Sequence, residues 1–433
     1  MTSAPAARPG RRIPWLIVAG VLVAALSLRG PIVAPTPVLL DIQDDMDVGG
    51  AVVGLLTTVP VLMFAVLTPV AALVIRRSGA EIALLASLAG VLIGTFVRAL
   101  PGFGWMLVGS LVIGGAITVG NVVIPVIIRR DVPPARVSAV TAGYVSMLNA
   151  GSLLTSLATA PLAAAIGWSP ALVTWSVVTA AGLALWLVHL RRTRVGGAGE
   201  RFSGLSAAPS GSSRGPAPAA GRAARTETAG TLTGPLPAVG ARGERSMLRR
   251  PVTWLLMLAF AMQTTAYYAL TTWLPTILQD DLGVDPAAAG ALASIFHGVA
   301  IAGAFLVPVL TRYFPTAVPA AIVCLSWVLL AAGMLWLPSA FVLWAIFGAL
   351  AHSGGFVVIF TALVGVARSD REAAGMSAFV QGGGYAVGAV GAPLMGALRE
   401  GTGSWDAPLA LVLAVTLAYS VLLLTAVGQT RRG

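Results

Sequence analysis

The sequence is dominated by apolar stretches that recur along almost its whole length. An α-helix needs about 20 apolar residues to cross the hydrocarbon core of a bilayer. Stretches of that size are found at 13–40, 48–75, 81–100, 104–128, 137–163 and 169–190, and again at 251–278, 287–310, 316–337, 340–366, 374–398 and 407–428. The pattern predicts an all-α membrane protein whose twelve transmembrane helices form two sets of six.

Composition excludes several other classes of protein. Hydrophobic residues make up 57% of the chain and charged residues only 10%, against about 25% in soluble domains. The net charge of +11 comes from arginines in short clusters between the apolar stretches; because no aromatic-lined basic face accompanies them, no nucleic acid partner is expected. The chain has no lysine, which excludes a Walker A loop. Its single cysteine, Cys324, excludes an internal disulfide or a cysteine-based metal site, and we expect no metal and no cofactor.

Residues 191–250 interrupt the apolar pattern. This stretch is rich in Gly, Ala, Ser, Pro and Arg, a composition that predicts a disordered linker between an N-terminal bundle (1–190) and a C-terminal bundle (251–433). Arginines gather on the side of this linker, whereas the loops at 41–47 and 280–285 are acidic. The positive-inside rule then places the linker and both termini in the cytoplasm, with the chain in the inner membrane of a bacterium. We expect the linker arginines to attract anionic membrane lipid.

The two sets of apolar stretches resemble each other at a nearly constant offset. Residues 43–56 match residues 279–292 at a shift of 236, and farther along a shift of 239 relates Arg129 to Arg368. Parallel six-helix repeats of this kind place the substrate near the midplane, between the halves. Chance similarity between two hydrophobic halves is the alternative.

Four segments of the chain carry a family resemblance: LSLRGPIVAPTPVLLDI at 26–42, GNVVIPVIIRRDVPPAR at 120–136, QTTAYYALTTWLPTIL at 263–278 and QGGGYAVGAVGAPLMGAL at 381–398. Together they resemble the major facilitator superfamily, and within it the cyanate/nitroimidazole (CynX/NimT-type) branch. They resemble the first, fourth, seventh and eleventh helices of that branch. The resemblance implies a secondary transporter that moves a small polar or anionic solute, cyanate-like or nitroimidazole-like, by alternating access. We expect it to act as a monomer.

Two departures from the superfamily pattern bear on the alternative of an exporter of small toxic or drug-like compounds. Arg76 stands where the loop motif after the second helix has an aspartate, and Ala80 and Glu81 replace its arginine pair. The fifth apolar stretch also lacks the GxxxGPxxGG pattern of drug/proton antiporters. Both departures count against a multidrug exporter. Export of other compounds stays open, and so does a membrane sensor or scaffold without transport.

Arg29 lies near the middle of the first apolar stretch and is followed by Gly30 and Pro31. A charge at that depth costs at least about 2.5–3.5 kcal/mol on insertion scales. No Asp or Glu occurs at comparable depth in any apolar stretch. A substrate anion, which a guanidinium binds bidentately, is therefore the expected counter-charge. The alternative is an arginine that carbonyl groups and waters satisfy and that only locks helix packing.

Other polar side chains in the apolar stretches complete the predicted substrate site. Gln263 and Tyr267 share a helix face with Tyr268 at its edge, and Gln381 and Tyr385 are again four residues apart beside a glycine run. The polar ring is completed by Asn121, Tyr144 and Asn149. The alternatives are membrane-interface anchoring for the tyrosines and interhelical hydrogen bonds for the last three residues.

His297 and His352 are the two histidines inside the apolar stretches. Because no carboxylate lies at that depth, they are the candidates for proton coupling; a buried neutral histidine with one hydrogen bond is the alternative. Scattered histidines without in-span carboxylates supply neither a catalytic constellation nor a metal cluster such as HExxH. The sequence therefore predicts no enzyme and no catalytic residues.

Overall fold

The computed structural model describes residues 15–203 and 247–430, which are almost entirely helical and contain no β-strand. The first range makes six passes: Trp15–Val33 with Leu39–Met46, Gly50–Val53 with Leu55–Ser78, Ala80–Arg98, Phe103–Asp131, Pro134–Ile166, and Trp168–Thr174 with Ser176–Ser203. The second range makes six more: Pro251–Leu282, Pro286–Tyr313, Ala317–Trp336, Phe341–Val366, Asp370–Gly388 with Gly391–Thr402, and Asp406–Thr430. We number these passes span 1 to span 12 in chain order.

Within each of the two described ranges, the connections between spans are short and contain residues that end or begin helices. Gly283 follows span 7 at a φ of +63°, which glycine adopts without a steric penalty. Asp285 caps span 8, because its carboxylate accepts hydrogen bonds from the backbone N–H groups of Ala287 and Ala288. A 3-10 turn, Pro338–Ala340, separates spans 9 and 10.

Ten of the described helices are long and apolar enough to cross a membrane. Spans 7 and 11 are the two passes that fall short of this measure. Both lie within the same bundle, where span 7 packs against spans 8, 11 and 12. Spans 7 and 11 also carry the glutamines and tyrosines predicted to face a central site, so their lower hydropathy reflects the cavity they line. The predicted twelve-helix fold is confirmed.

The halves pack on each other through two equivalent helix pairs. Span 2 packs on span 11, and span 5 packs on span 8. The predicted repeat relates span 2 to span 8 and span 5 to span 11, so exchanging the halves turns one pair into the other. Spans 1 and 7, the corresponding first spans of the halves, also meet, because the turn Thr36–Val38 packs on span 7. This is the arrangement expected of parallel six-helix repeats.

The helix of span 6 is longer than its predicted apolar stretch. It continues to Ser203, whereas the apolar stretch ends at residue 190. No proline interrupts this stretch, and extending an existing helix needs no new nucleus. Most of the predicted linker, residues 204–246, lies outside the described residues. After it, Met247 is buried in the same apolar core as Val252 and Leu256.

Candidate functional site

A cavity of about 370 Å³ lies between the two halves, within the size range of small-molecule sites. Spans 1, 2, 4, 5, 7, 10 and 11 contribute to its wall. All nine side chains predicted to bind substrate line it: Arg29, Asn121, Tyr144, Asn149, Gln263, Tyr267, Tyr268, Gln381 and Tyr385. His352 lines it as well. His297 is buried, 3% exposed, and does not belong to the cavity wall.

Arg29 is positioned by the way in which span 1 is broken. The helix ends at Val33 and restarts through the turn Thr36–Val38. In a continuous helix the Pro31 carbonyl would accept a hydrogen bond from residue 35, but Pro35 has no N–H. The Arg98 guanidinium takes that role, because its Nη1 donates to the Pro31 oxygen at 2.6 Å. A buried arginine on span 3 thus stabilises the break that follows Arg29.

The Arg29 guanidinium contacts both halves of the protein. Its Nη1 donates to Oδ1 of Asn149 at 3.3 Å, and its Nη2 lies 3.1 Å from Nε2 of His352. The guanidinium carbon lies 5.0 Å from the centre of the Tyr267 ring, within cation–π range. Within residues 15–203 and 247–430, no carboxylate forms an ion pair with Arg29 and none lines the cavity. The cavity therefore carries a cation whose partners are all neutral.

His352 is held neutral by its contact with Arg29. A guanidinium only donates hydrogen bonds, so Nε2 of His352 must accept, and the ring proton is assigned to Nδ1. That Nδ1 atom is buried without a partner among the described residues. The ring stacks on Tyr267 with 3.8 Å between centroids and 13° between planes. Tyr267 thus packs against both the Arg29 guanidinium and the His352 imidazole, which also contact each other.

Gln263 is fixed by span 10 on one side only. Its Nε2 donates to the backbone carbonyl of His352 at 3.0 Å. Its Oε1 is buried and has no partner in the described part of the chain, and the same is true of the Tyr419 hydroxyl. Both oxygens crowd Gly355, where an added Cβ would lie 2.5 Å from Oε1 and 2.7 Å from the hydroxyl. Only glycine fits at this position without displacing Gln263.

The remaining predicted residues use part of their hydrogen-bonding capacity within one half. The Tyr144 hydroxyl donates to Oδ1 of Asn121 at 3.1 Å, and Nε2 of Gln381 donates to Oγ of Ser377 at 3.0 Å. Tyr144 and Asn121 therefore form an interhelical hydrogen bond, which was the alternative to substrate binding for these residues. Both of them also line the cavity. Tyr267 is 3% exposed and lies on the cavity wall, so it is not a membrane-interface anchor.

An aromatic wall completes the cavity, and sequence reasoning missed it. Phe64, Phe260, Phe356 and Phe360 all line the space. Tyr385 packs edge-on against Phe64 at 5.5 Å and against Phe260 at 5.3 Å, so it joins the two halves. Phenylalanine in an apolar helix gives no signal of its own, because packing against lipid or another helix requires the same residue type.

Hydrogen bonds between the halves close the cavity at one end. This end, which we call the distal end, carries the acidic loops. Thr57 and Thr272 share a hydrogen bond of 2.8 Å, and Thr58 donates to the Ala389 carbonyl at 2.6 Å. The Glu400 carboxylate accepts a hydrogen bond from the backbone N–H of Gly50. Spans 2 and 11 are thereby joined directly beyond the cavity.

Small residues allow this close approach of spans 2 and 11. A Cβ on Gly396 would collide with the Gly50 carbonyl, and one on Gly54 would lie 3.0 Å from the backbone of Ala392 and Pro393. The equivalent pair behaves alike, since Ser156 of span 5 donates to the Gly290 carbonyl of span 8 at 3.2 Å. The distal end is therefore closed by backbone-to-backbone packing, which small residues permit between membrane helices.

Comparisons with known proteins agree with this architecture. The sequence is 30% identical over 409 residues to the 2-nitroimidazole transporter of Escherichia coli (strain K12), a match that covers 94% of each chain. It is 26% identical over 412 residues to the uncharacterized transporter YycB of Bacillus subtilis (strain 168), covering 93% of this chain and 91% of that one. A shorter match, 36% over 104 residues, involves the putative anionic 4-hydroxy-benzoate permease of Thauera aromatica and covers 23% of this chain and 60% of that one.

The fold resembles the crystal structure of a bacterial homolog of the human lysosomal transporter Spinster, in an inward-facing and unoccupied conformation. The TM-score is 0.63 at 18% identity, over 98% of this chain and 95% of that one; at this identity the likeness shows the fold alone. The sequence also matches the family model of the Major Facilitator Superfamily over residues 17–369. The chain therefore belongs to the Major Facilitator Superfamily and is a multi-pass membrane transporter for a small-molecule solute, not an enzyme.

Proposed function

We propose that this protein is a secondary transporter that carries a small planar anion or electron-rich polar solute, cyanate-like or nitroimidazole-like, across the bacterial cytoplasmic membrane. The observation that carries the proposal is the Arg29 guanidinium, which faces a cavity whose described lining contains no carboxylate. An arginine can hold a planar anion through two parallel N–H donors. A bound anion supplies the negative charge that the protein itself leaves out.

The walls of the cavity favour a flat solute over a long or bulky one. Tyr267 and Tyr268 meet edge to face at 4.9 Å, and Phe356 and Phe360 lie 4.5 Å apart on span 10. Such aromatic surfaces pack well on planar rings. The names of two relatives, the 2-nitroimidazole transporter and the putative anionic 4-hydroxy-benzoate permease, both specify small aromatic ring compounds.

Alternating access follows from the way in which the halves meet. The distal end is closed by hydrogen bonds from span 2 to spans 7 and 11, and Arg29 and His352 join the halves within the cavity. Rocking of the halves exposes a midplane site to each side in turn. With both termini in the cytoplasm, the closed distal end faces outward. Export of small toxic compounds, the second candidate, uses the same site in the opposite direction.

Ligand-dependent thermal stability of the purified protein tests the proposal. A ligand that binds only the folded state stabilises it by about 2.7 kcal/mol at one hundred times its Kd. The panel consists of cyanate, nitrate, 2-nitroimidazole, 4-hydroxybenzoate and benzyl alcohol, the last a neutral control. We expect at least one of the first four compounds to stabilise the wild type and not Arg29→Ala.

Arg130→Ala is the matched control variant. Arg130 is partly exposed and pairs with Glu81 and Asp131, away from the cavity. It should respond to the panel as the wild type does. Proteoliposome uptake of the stabilising compound then separates a transporter from a sensor or scaffold. An unchanged response of Arg29→Ala would show that Arg29 is structural and that the proposed site is wrong.

A further inference from the structure

We infer that His352 is a proton-binding site linked to solute binding at Arg29, so that each anion carried is accompanied by one proton. The inference rests on the proposed function and assigns the coupling ion of the same site. It is carried by the contact between Arg29 on span 1 and His352 on span 10. The ligand in question is a proton, held on Nε2 of the imidazole.

Proton binding at His352 and its contact with Arg29 exclude each other. Nη2 of Arg29 lies 3.1 Å from Nε2 of His352, and the guanidinium can only donate. Nε2 therefore uses its lone pair as the acceptor. A proton on that nitrogen would leave two donors and two positive charges facing each other across the same gap. While this contact is formed, His352 is therefore neutral.

An arriving anion reverses this situation. Its oxygens accept the N–H groups of Arg29, including the Nη2 group that otherwise serves His352. The released Nε2 lone pair then binds a proton from the bulk solution, which forms one N–H bond and leaves an imidazolium beside the anion. That new N–H group donates to the bound anion. The pair that moves is one anion with one proton, and the net charge of the loaded cavity equals that of the empty one.

His352 is the side chain on the cavity wall that can accept a proton when the anion binds. Within the apolar stretches of the spans around it, the other titratable or charged groups among the described residues are Arg29, Tyr144, Tyr267, Tyr268, His297, Cys324, Tyr385 and Tyr419. The tyrosines and the cysteine are acids, and within the described residues no carboxylate lines the cavity. His297 lies behind the wall, against Phe296. His352 is therefore the base that a solvated solute meets.

The contact also crosses the boundary between the halves. Arg29 belongs to the first half and His352 to the second, 323 residues apart in the chain. Replacing their direct hydrogen bond by an anion that bridges two cations changes the attraction between the halves at the midplane. Binding of proton and anion is then reciprocal, since each raises the affinity for the other by the same factor.

Proton uptake on binding gives the direct test. Cyanate and 4-hydroxybenzoate serve as probes and are added to detergent-purified full-length protein in weak buffer with a pH indicator dye. We expect about one proton to be taken up per anion bound, and the Kd to fall up to tenfold per pH unit of acidification. His352→Gln keeps an acceptor for Arg29 and should bind without proton uptake. The matched control, His297→Gln, should behave as the wild type does.

A second measurement leaves His352 in place. The chain has three histidines, so the double variant His189→Gln/His297→Gln, purified through a histidine-free tag, retains His352 alone. Its ¹⁵N-histidine spectrum should change from the neutral to the imidazolium pattern when the anion is added. If the anion binds and the His352 ring stays neutral, the proposed proton coupling is wrong, but the anion site at Arg29 is not affected. Absence of binding of either anion to the wild type overturns the anion site itself, and the coupling with it.

Transport gives the functional consequence. In proteoliposomes, an inwardly directed proton gradient should drive accumulation of the probe anion by the wild type and by His297→Gln. His352→Gln should lose proton-driven accumulation, and its anion exchange between the two sides should be slower but still measurable, because the imidazolium donor to the anion is gone while Arg29 remains. Equal accumulation by His352→Gln would contradict the inference, because exchange in the same vesicles proves that the variant is folded and active.

Discussion

Nη1 of Arg98 donates a 2.6 Å hydrogen bond to the carbonyl oxygen of Pro31, the oxygen that Pro35 leaves without a backbone partner. The two prolines stand four residues apart, so the second removes the N–H that the first would use. Arg98 is only 2% exposed, and a buried carbonyl without a partner costs about 1–3 kcal/mol. This arginine of span 3 therefore links the packing of the first half to the position of Arg29.

The first prediction concerns this hydrogen bond. Arg98→Met removes the donor and should destabilise the folded protein by about 1–3 kcal/mol, with weaker binding of the ligand that stabilises the wild type. Thermal unfolding in detergent measures the first effect, and the ligand-dependent shift measures the second. Arg399→Met is the control, because Arg399 forms an exposed ion pair with Asp280 worth about 1 kcal/mol or less. An Arg98→Met protein as stable as the wild type would show that this hydrogen bond does not outweigh the cost of burying Nε and Nη2 of Arg98, which have no partner among the described residues.

Sequence reasoning identified the polar lining of the cavity better than its aromatic lining, for a physical reason. A charge or amide in an apolar helix is costly unless it faces protein or a watery cavity, so Arg29, Asn149 and Gln263 pointed inward. Phenylalanine carries no such cost, and Phe260 and Phe356 could not be distinguished from residues that merely pack. Their place in the cavity depends on how each helix is rotated, which tertiary packing decides.

The pairing of particular residues was also beyond sequence reasoning. His297 and His352 both lie in apolar stretches, but only the second lines the cavity. Span 10 is apolar on all sides, so its sequence does not indicate which face turns inward. Nothing in the sequence pairs Arg98 with the break in span 1. The prolines at positions 31 and 35 indicate that a backbone carbonyl of span 1 lacks its helical hydrogen bond. They do not indicate which side chain donates to that carbonyl.

The second prediction concerns the glycine behind Gln263. In Gly355→Ala the new methyl group would displace Oε1 of Gln263, which lies 2.5 Å from the ideal Cβ position. Overpacking of this kind costs about 1–3 kcal/mol. We expect a lower melting temperature and roughly tenfold weaker ligand binding, about 1.4 kcal/mol. Gly365→Ala on the same helix meets nothing within 4 Å and should bind normally. Equal binding by the two variants would mean that Gln263 does not shape the site.

The third prediction concerns the closed distal end. Glu400→Gln weakens the charge-assisted hydrogen bond to Gly50, a class of bond worth about 1.5–3 kcal/mol. The population open at that end should rise roughly tenfold. Labelling of Thr36→Cys by a membrane-impermeant maleimide reports this opening, because Thr36 lines the cavity and Cys324, the single native cysteine, can be replaced by serine.

Glu372→Gln is the control for this experiment. Glu372 pairs with Arg250 inside the second half, so its loss leaves the contact between spans 2 and 11 unchanged. The labelling rate of Thr36→Cys should then match that of the parent protein. If Glu400→Gln and Glu372→Gln label alike, the distal end is held by backbone packing alone, and the carboxylate has no part in closing it.

The fourth prediction separates the ring of Tyr267 from its hydroxyl. The ring stacks on His352 at 3.8 Å and lies 5.0 Å from the Arg29 guanidinium, and both contacts use the aromatic face. Tyr267→Phe should therefore keep ligand affinity within about twofold, whereas Tyr267→Leu should lose the cation–π contribution of about 0.5–2 kcal/mol. Tyr313→Leu, at an exposed position, controls for the loss of a tyrosine. The ligand-dependent melting shift measures all three variants. An equal loss of ligand affinity in Tyr267→Phe and Tyr267→Leu would contradict this prediction. It would mean that the Tyr267 hydroxyl binds the solute through a hydrogen bond, and that the stacking of its ring on His352 and Arg29 contributes little.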